Sequence, residues 1–384
     1  MLTIKIFETT NVCCQQLIDK NNMIEFTNEN SFFEYLGLAN LEKMHSAFLS
    51  WLVSPNCKAI TQIQKHNFLE KLFKFDHIDE IKHIGTEIDN IDLVIITNKH
   101  VCVIENKLKS SEHSDQLERY KKHVKLTYPG KQYHFLFLTL VNEKYTSPEW
   151  KHISYYEIYD LLSDLNLLDH KHKILIEEYR LYLSRLLSIL KEVLQNPAKF
   201  NSVFKNGSKK KSEKLLINYT NEKEEFIAKN QLETIFQKAF LIKILQNDKI
   251  IGYQGKLTDT RGTALVDFPL QFDIRIPGNS KLYKTFIELQ GENIKFAFGV
   301  QEDYDNSKKI WIANIVPLFK VMKEHKLHGY TSFNPPVSKA YVSISKKTKI
   351  PYWNMSIDDF STFINSEIEI GHLLTKELSS KILI

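Results

Sequence analysis

Glu105 and Lys107 stand inside VCVIENKL, a run whose other residues are mostly those of a buried β-strand. Burying a carboxylate or an ammonium without a partner is costly, so chains rarely place charges there idly. Side chains on a strand alternate between faces. Glu105 and Lys107 therefore point one way with Val101 and Val103, and Asn106 points the other. Asp92 opens the preceding β-rich run, IDLVIIT, and only NKH separates the two runs, a hairpin-like connection. If the runs pair, Asp92 comes near the Glu105 end of its neighbour. Two carboxylates beside open positions suit Mg²⁺ or Mn²⁺, which keep waters and share phosphate oxygens. A lysine alongside would orient or deprotonate a water and offset charge developing on a phosphate. The plainer alternative is a structural ion pair, and E-x-K alone does not decide between them.

The next segment adds two groups. In QLERY, Gln116 and Tyr120 are four residues apart and share a helical face. An amide and a phenol so placed can hold a nucleic-acid backbone or brace the lysine; an ordinary amphipathic helix with Tyr120 in the core fits equally. From Lys107 to Lys131 there are seven Lys or Arg against three acids. That bias suits a polyanion and equally a solvated helix face. His113 and His123 flank QLERY and carry no more than surface roles.

These residues need a scaffold. LANLEKMHSAFLSWLV reads as a helix with Leu41, His45, Phe48 and Leu52 on one face, ended by Ser54-Pro55. A second amphipathic helix is expected near Gln64–Phe75, and a third over about Ser114–Leu126. QYHFLFLTLV is short and almost wholly apolar, as in a strand covered on both faces. YYEIYDLLSDL and KHKILIEEYRLYLSRLLSILKEVL are helical, and Asn196-Pro197 closes the latter. The expectation is an α/β domain over 1–198, a basic linker over 199–214 with Gly, Ser and a lysine cluster just after Asn196-Pro197, and an α+β domain over 215–384. In the last part EEFIAKNQLETIFQKAFLIKILQ reads as one helix, and ALVDFPLQFDIRI, KLYKTFIELQ and NIKFAFGV as antiparallel strands. Phe268, Leu270, Phe272, Ile274 and Ile276 alternate strictly, and PGNS turns the chain.

Length and composition set outer bounds. The 384 residues suffice for two domains, and 43% apolar with 25% charged residues is the balance of a globular protein. No apolar run nears the roughly 20 residues of a membrane helix, and MLTIKIFETT, with Glu8, lacks a secretory layout. Cys13, Cys14, Cys57 and Cys102 form no C-x-x-C pair, which points to a reducing, cytoplasmic setting without disulfides or structural zinc. The net charge of +5 decides nothing alone. There is no G-x-x-x-x-G-K-[ST], H-E-x-x-H, G-x-S-x-G or glycine-rich dinucleotide fingerprint.

D…E-x-K followed by Q-x-x-x-Y resembles the PD-(D/E)XK nuclease superfamily, in the branch with an exonuclease-type Q-x-x-x-Y helix. HSAFLSWLVSP, TEIDNIDLVII, VIENKL and QLERY further resemble a bacterial family within it that begins with a similar helix. The match spans roughly Leu41 to Leu162, and IENK with QLERY is its specific part. The resemblance implies a restriction-endonuclease-like mixed sheet flanked by helices. It implies Mg²⁺ or Mn²⁺ on Asp92 and Glu105, assistance from Lys107, auxiliary roles for Gln116 and Tyr120, and hydrolysis of phosphodiesters in DNA or RNA, for restriction, defence or repair.

Several assignments stay open at this level. Asp89 also precedes the hairpin, and a β-bulge would exchange it with Asp92. Glu87 matches a family position and either reaches the metal or is solvated. Some members use an upstream histidine as a further ligand, which falls on His45, and others a helical glutamate, which falls on Glu42. A hydrogen-bonded core histidine and a solvent-exposed glutamate are the plainer outcomes. In the C-terminal half, Asp273, Glu288 and Gln290 repeat the order D…E-x-polar without the lysine, as a chance echo or a degenerate copy. That half would bind substrate, a protein partner or a second copy of the chain. The alternative to a nuclease is an inactive nucleic-acid-binding or protein-interaction module on the same fold.

Overall fold

A computed structural model of the protein describes residues 24–108, 115–142, 145, 147–207, 209–214, 216–219, 221–246, 256–260, 263–275, 282–300, 308–334 and 341–382. MLTIKIFETT, Cys13, Cys14, His113, the PGNS turn and the side chain of Asp273 lie outside the described part. The chain forms two compact units, Met1–Asn196 with Asn218–Leu232, and Pro197–Ile217 with Glu233–Ile384.

The first unit is built on a five-stranded mixed sheet with the strands in sequence order. Strands β1 (Ile81–Ile88), β2 (Ile91–Thr97) and β3 (His100–Lys107) form an antiparallel meander; β4 (Gln132–Thr139) and β5 (Trp150–Ser154) continue it in parallel. The IDLVIIT and VCVIENKL runs pair as a hairpin, with Leu93 opposite Ile104 and Ile96 opposite Val101. One residue further along that register, Asp92 faces Glu105.

Neither β1 nor β5 was expected from the sequence. IKHIGTEI spaces Ile81, Ile84 and Ile88 three and four residues apart instead of alternating, and a strand at the sheet edge needs no apolar run. The turn into β2 is made by Asp89 and Asn90, both with positive φ, the residue types that adopt this conformation most readily.

The helices are α1 (Phe32–Tyr35), α2 (Glu42–Val53), α3 (Gln62–Phe73), α4 (Gln116–Thr127), α5 (Tyr155–Ser163) and α6 (Lys173–Gln195). On one face of the sheet, Val94, Val101, Val103, Phe135, Phe137 and Trp150 pack with Leu117 and Val124 of α4. Helices α2 and α3 contact the same sheet as well, and Asn106 reaches α2. Helix α2 stops at Ser54, whose backbone is extended ahead of Pro55. Capping boxes at Thr61 and Ser154 start α3 and α5.

The stretch expected as a linker carries the 3₁₀ turn Pro197–Phe200, α7 (Asn201–Lys205) and α8 (Lys211–Lys214). Lys214, one of its lysines, is buried and pairs with Glu233 at 2.8 Å. The single helix expected over EEFIAKNQLETIFQKAFLIKILQ is two. α9 (Glu222–Lys229) and α10 (Glu233–Leu245) are separated by Gln231 in the left-handed conformation, which a helix cannot continue through.

The second unit carries a six-stranded antiparallel sheet, β6 (Lys256–Thr260), β7 (Thr263–Arg275), β8 (Leu282–Gln290), β9 (Asn293–Val300), β10 (Ser332–Asn334) and β11 (Tyr341–Lys347), in the order β10-β11-β9-β8-β7-β6. Helices α11 (Lys308–Glu324) and α12 (Ile357–Ile382) accompany it. No described helix is long and apolar enough to cross a membrane. The described cysteines, Cys57 and Cys102, are buried and unpaired.

The sheet core that carries Glu105 is tightly packed, and Phe137 in it is wholly buried. Phe137→Ala should cost about 3–5 kcal/mol in urea unfolding of the first unit; a loss under about 1 kcal/mol would mean that this face is loosely filled.

Candidate active site

Glu105 and Lys107 share the α4 face of β3, as the strand period requires, and form an ion pair of 2.6 Å. Both are deeply buried, with side chains 1% and 11% exposed. Lys107 binds only one carboxylate oxygen of Glu105. The other, Oε2, is buried without a hydrogen-bond partner among the described residues. Asp92 lies across the hairpin, its Oδ2 accepting the backbone N–H of Asn106 at 2.7 Å.

Burial raises both carboxyls above the ordinary range, Asp92 to about 6 and Glu105 to about 8. For Asp92 the Asn106 N–H and Lys107 oppose the rise, and the charges of Glu42 and Glu87 add to it. For Glu105 the repulsion from Asp92 adds to burial, and Lys107 opposes both. Burial disfavours the Lys107 ammonium, but the Glu105 carboxylate more than compensates, so Lys107 holds its proton more firmly than a free lysine.

Asn106 organises the surroundings from the opposite face. Its amide donates to the Glu42 carbonyl at 3.0 Å and to Ser46 Oγ at 3.3 Å, and its Oδ1 accepts from Tyr155 Oη at 2.7 Å. One side chain thus joins β3 to the start of α2 and to α5. Sequence reasoning passed over this residue, Ser46 and Tyr155. The available signal was an asparagine on the inner side of an apolar strand, since a buried amide requires partners.

The other candidates separate. Asp89 sits in the β1–β2 turn and pairs with His123 at 2.8 Å, away from the Asp92 position. Glu87 pairs with Lys43 at 2.7 Å and is partly exposed. Glu42 opens α2, half-buried, where its charge bears on Asp92, Glu105 and Lys107 together.

His45, read as a possible metal ligand, is instead a core residue. Nδ1 bonds Tyr179 Oη at 2.8 Å, Nε2 meets the Ala39 carbonyl at 3.2 Å, and the ring packs against Tyr155 and Tyr182. Burial lowers its pKa to about 4, and neither nitrogen is left for a metal.

Gln116 donates to Tyr120 Oη at 2.7 Å, and Tyr120 donates to the Asn90 carbonyl at 2.7 Å. The pair pins α4 to the β1–β2 turn and makes no hydrogen bond to Lys107 among the described residues. The basic bias is partly compensated: Lys121 pairs with Glu118 and Glu149, and Lys125 with Glu149. In the second unit, Glu288 faces Asp267, while Asp273 faces Lys284 beyond a register shift. Lys295 pairs with Glu288 and contacts Gln290.

Among the described residues no three His, Cys, Asp or Glu side chains converge to enclose a metal ion. Asp92 and Glu105 nonetheless fit a hydrated hard cation. They offer oxygen donors only, one of them a buried carboxylate oxygen without a partner, and leave most of the shell to water.

The model of the PD-(D/E)XK nuclease superfamily matches residues 30–221, which include the whole constellation. No curated protein and no solved structure matches the chain.

A carboxyl whose folded pKa lies above its unfolded one binds more protons in the native state, so native stability falls as pH rises through that interval. The stability difference between Glu105→Gln and the wild type, in EDTA, should therefore shift in favour of the variant from pH 4.5 to about 8. Loss of the Lys107 partner adds a constant offset, so the slope is what urea titrations at several pH values must show; a flat difference contradicts the burial argument. Asn106→Ala strands the Tyr155 hydroxyl and should cost about 1–3 kcal/mol, with Mn²⁺ affinity by calorimetry falling too if α2 loosens over the site.

Proposed function

The chain belongs to the PD-(D/E)XK nuclease superfamily, and from that premise we propose that it is a divalent-metal-dependent nuclease that hydrolyses phosphodiester bonds in DNA or RNA. The observation that carries this reading is the buried Glu105–Lys107 pair with a carboxylate oxygen left over beside Asp92. A purely structural ion pair is stable only with good geometry and satisfied hydrogen bonds, and among the described residues Glu105 Oε2 has no partner.

Asp92 and Glu105 would hold Mg²⁺ or Mn²⁺. When bound, the ion would supply Lewis-acid polarisation of the phosphate and a more acidic water. The chain's own residues account for the rest. The Asn106 N–H fixes the orientation of Asp92. Lys107, held as an ammonium by Glu105, donates hydrogen bonds to the attacking water or a phosphate oxygen and offsets charge that grows in the transition state. Its raised pKa favours this role over that of a proton acceptor. Gln116 and Tyr120 act as positioning residues by holding α4 against the turn that leads into Asp92. Glu42 is a candidate for a further, water-mediated ligand, and Glu87 for an outer one. Buried, unpaired cysteines fit a reducing, cytoplasmic setting. Chemistry would lie in the first unit, and substrate or partner binding in the second.

Purified protein should cleave DNA or RNA with Mg²⁺ or Mn²⁺ and fail to do so in EDTA. Lys107→Ala should lower the rate by at least about a hundredfold while leaving the circular dichroism spectrum unchanged. Asp92→Ala should abolish Mn²⁺ binding in calorimetry. Cleavage by Lys107→Ala at the wild-type rate sinks the assignment; intact binding of DNA or RNA without cleavage by the wild type would favour a binding module instead.

A further inference from the structure

The second unit contains an open cavity of about 670 Å³ between the end of β11, the 327–331 turn and the start of α12. That volume lies in the range of pockets that hold small organic ligands. Its lining is divided by chemistry. Lys347 and Lys349 are exposed and make no ion pair among the described residues, and Thr331 adds a hydroxyl. The same lining holds Ile294, Ile350 and the half-exposed Phe363.

A third lysine of the lining is already committed. Lys346 pairs with Glu367 at 2.9 Å, donates to the His328 carbonyl at 3.0 Å and lies over the Tyr330 ring. Asp359 accepts from Ser356 at 2.7 Å. Among the described residues, the lining lysines without an ion pair are therefore Lys347 and Lys349. The adjoining turn is strained: Lys326 and His328 both have positive φ, ahead of Gly329. Non-glycine residues adopt that conformation at a cost, and such strain clusters at binding sites.

From this juxtaposition of an aromatic face with two uncompensated lysines, we propose that the cavity is a nucleotide-phosphate site. Phe363 would take the flat face of a base, and Lys347 and Lys349 the phosphate. The ligand is a nucleoside phosphate, either free or as a unit of a nucleic-acid strand. The strand source rests on the nuclease reading above; the chemistry of the cavity does not.

The test uses the full chain in EDTA, with adenosine 5′-monophosphate in calorimetry and a fluorescein-labelled oligothymidylate in anisotropy. The double variant Lys347→Glu/Lys349→Glu should weaken binding of at least one probe by about tenfold or more, with a smaller salt dependence, and Phe363→Ala should weaken the same probe while thermal unfolding stays as in the wild type. Loss confined to the oligonucleotide identifies a strand as the ligand, and loss for both identifies the nucleotide unit itself. Binding of both probes by both variants as by the wild type, or no binding of either by the wild type, overturns the proposal. Glu105→Ala separates the two readings. It should keep the cavity's binding while losing cleavage; a wild type that cuts nothing yet loses binding on Lys347→Glu/Lys349→Glu would end the nuclease reading and leave this one standing.

Discussion

Placing a carboxylate and an ammonium in the interior of a sheet is the constraint around which the first unit is arranged. Taking each ion out of water costs several kcal/mol, roughly, and their mutual attraction offsets this only with good geometry and full hydrogen bonding. Glu105 and Lys107 meet the first condition at 2.6 Å and miss the second, because one oxygen of Glu105 has no partner among the described residues. The apolar residues beneath them, Val101 and Val103 on the same face with Phe135, Phe137 and Trp150 alongside, supply the compensating burial. A local rule broken over a well-formed core is the pattern expected of a working site rather than of a scaffold.

The residue between the two charges does a different job. Asn106 sends its amide group away from them, to α2 and α5, and uses its backbone N–H on Asp92. On the reading proposed above, E-N-K carries chemistry on one face, while on the other Asn106 ties β3 to α2 and α5. His45 belongs to the α2 side of this arrangement. It is kept neutral by burial, bonded to Tyr179, and packed edge-on against the Tyr155 that holds Asn106. Its place one turn after Glu42 explains why it resembles a ligand in sequence: the helix that positions the site and the helix that would bind a metal are the same helix.

The Q-x-x-x-Y pair shows how a motif can be legible while its target is not. Four-residue spacing guarantees that Gln116 and Tyr120 meet on a helix, and they do. What they brace is the β1–β2 turn, through the Asn90 carbonyl. That turn belongs to a strand the sequence does not announce, because β1 is polar, lies at the sheet edge and carries Gly85 in place of bulk.

Several features followed from local rules alone. Period-two alternation put Glu105 and Lys107 together, and a short connection, Asn98 and Lys99, made β2 and β3 a hairpin. The apolar spacing of α2, α3, α4 and α6, with Ser54-Pro55 and Asn196-Pro197 as stops, set the helices to within a few residues. These depend only on neighbours along the chain, whose geometry is set by backbone stereochemistry. The separation of Asp89 from Asp92, the burial of His45 and the approach of Glu42 were settled by tertiary packing. Each depends on where one element lands on another, a distance in space that residues far apart in sequence fix jointly and no single stretch encodes.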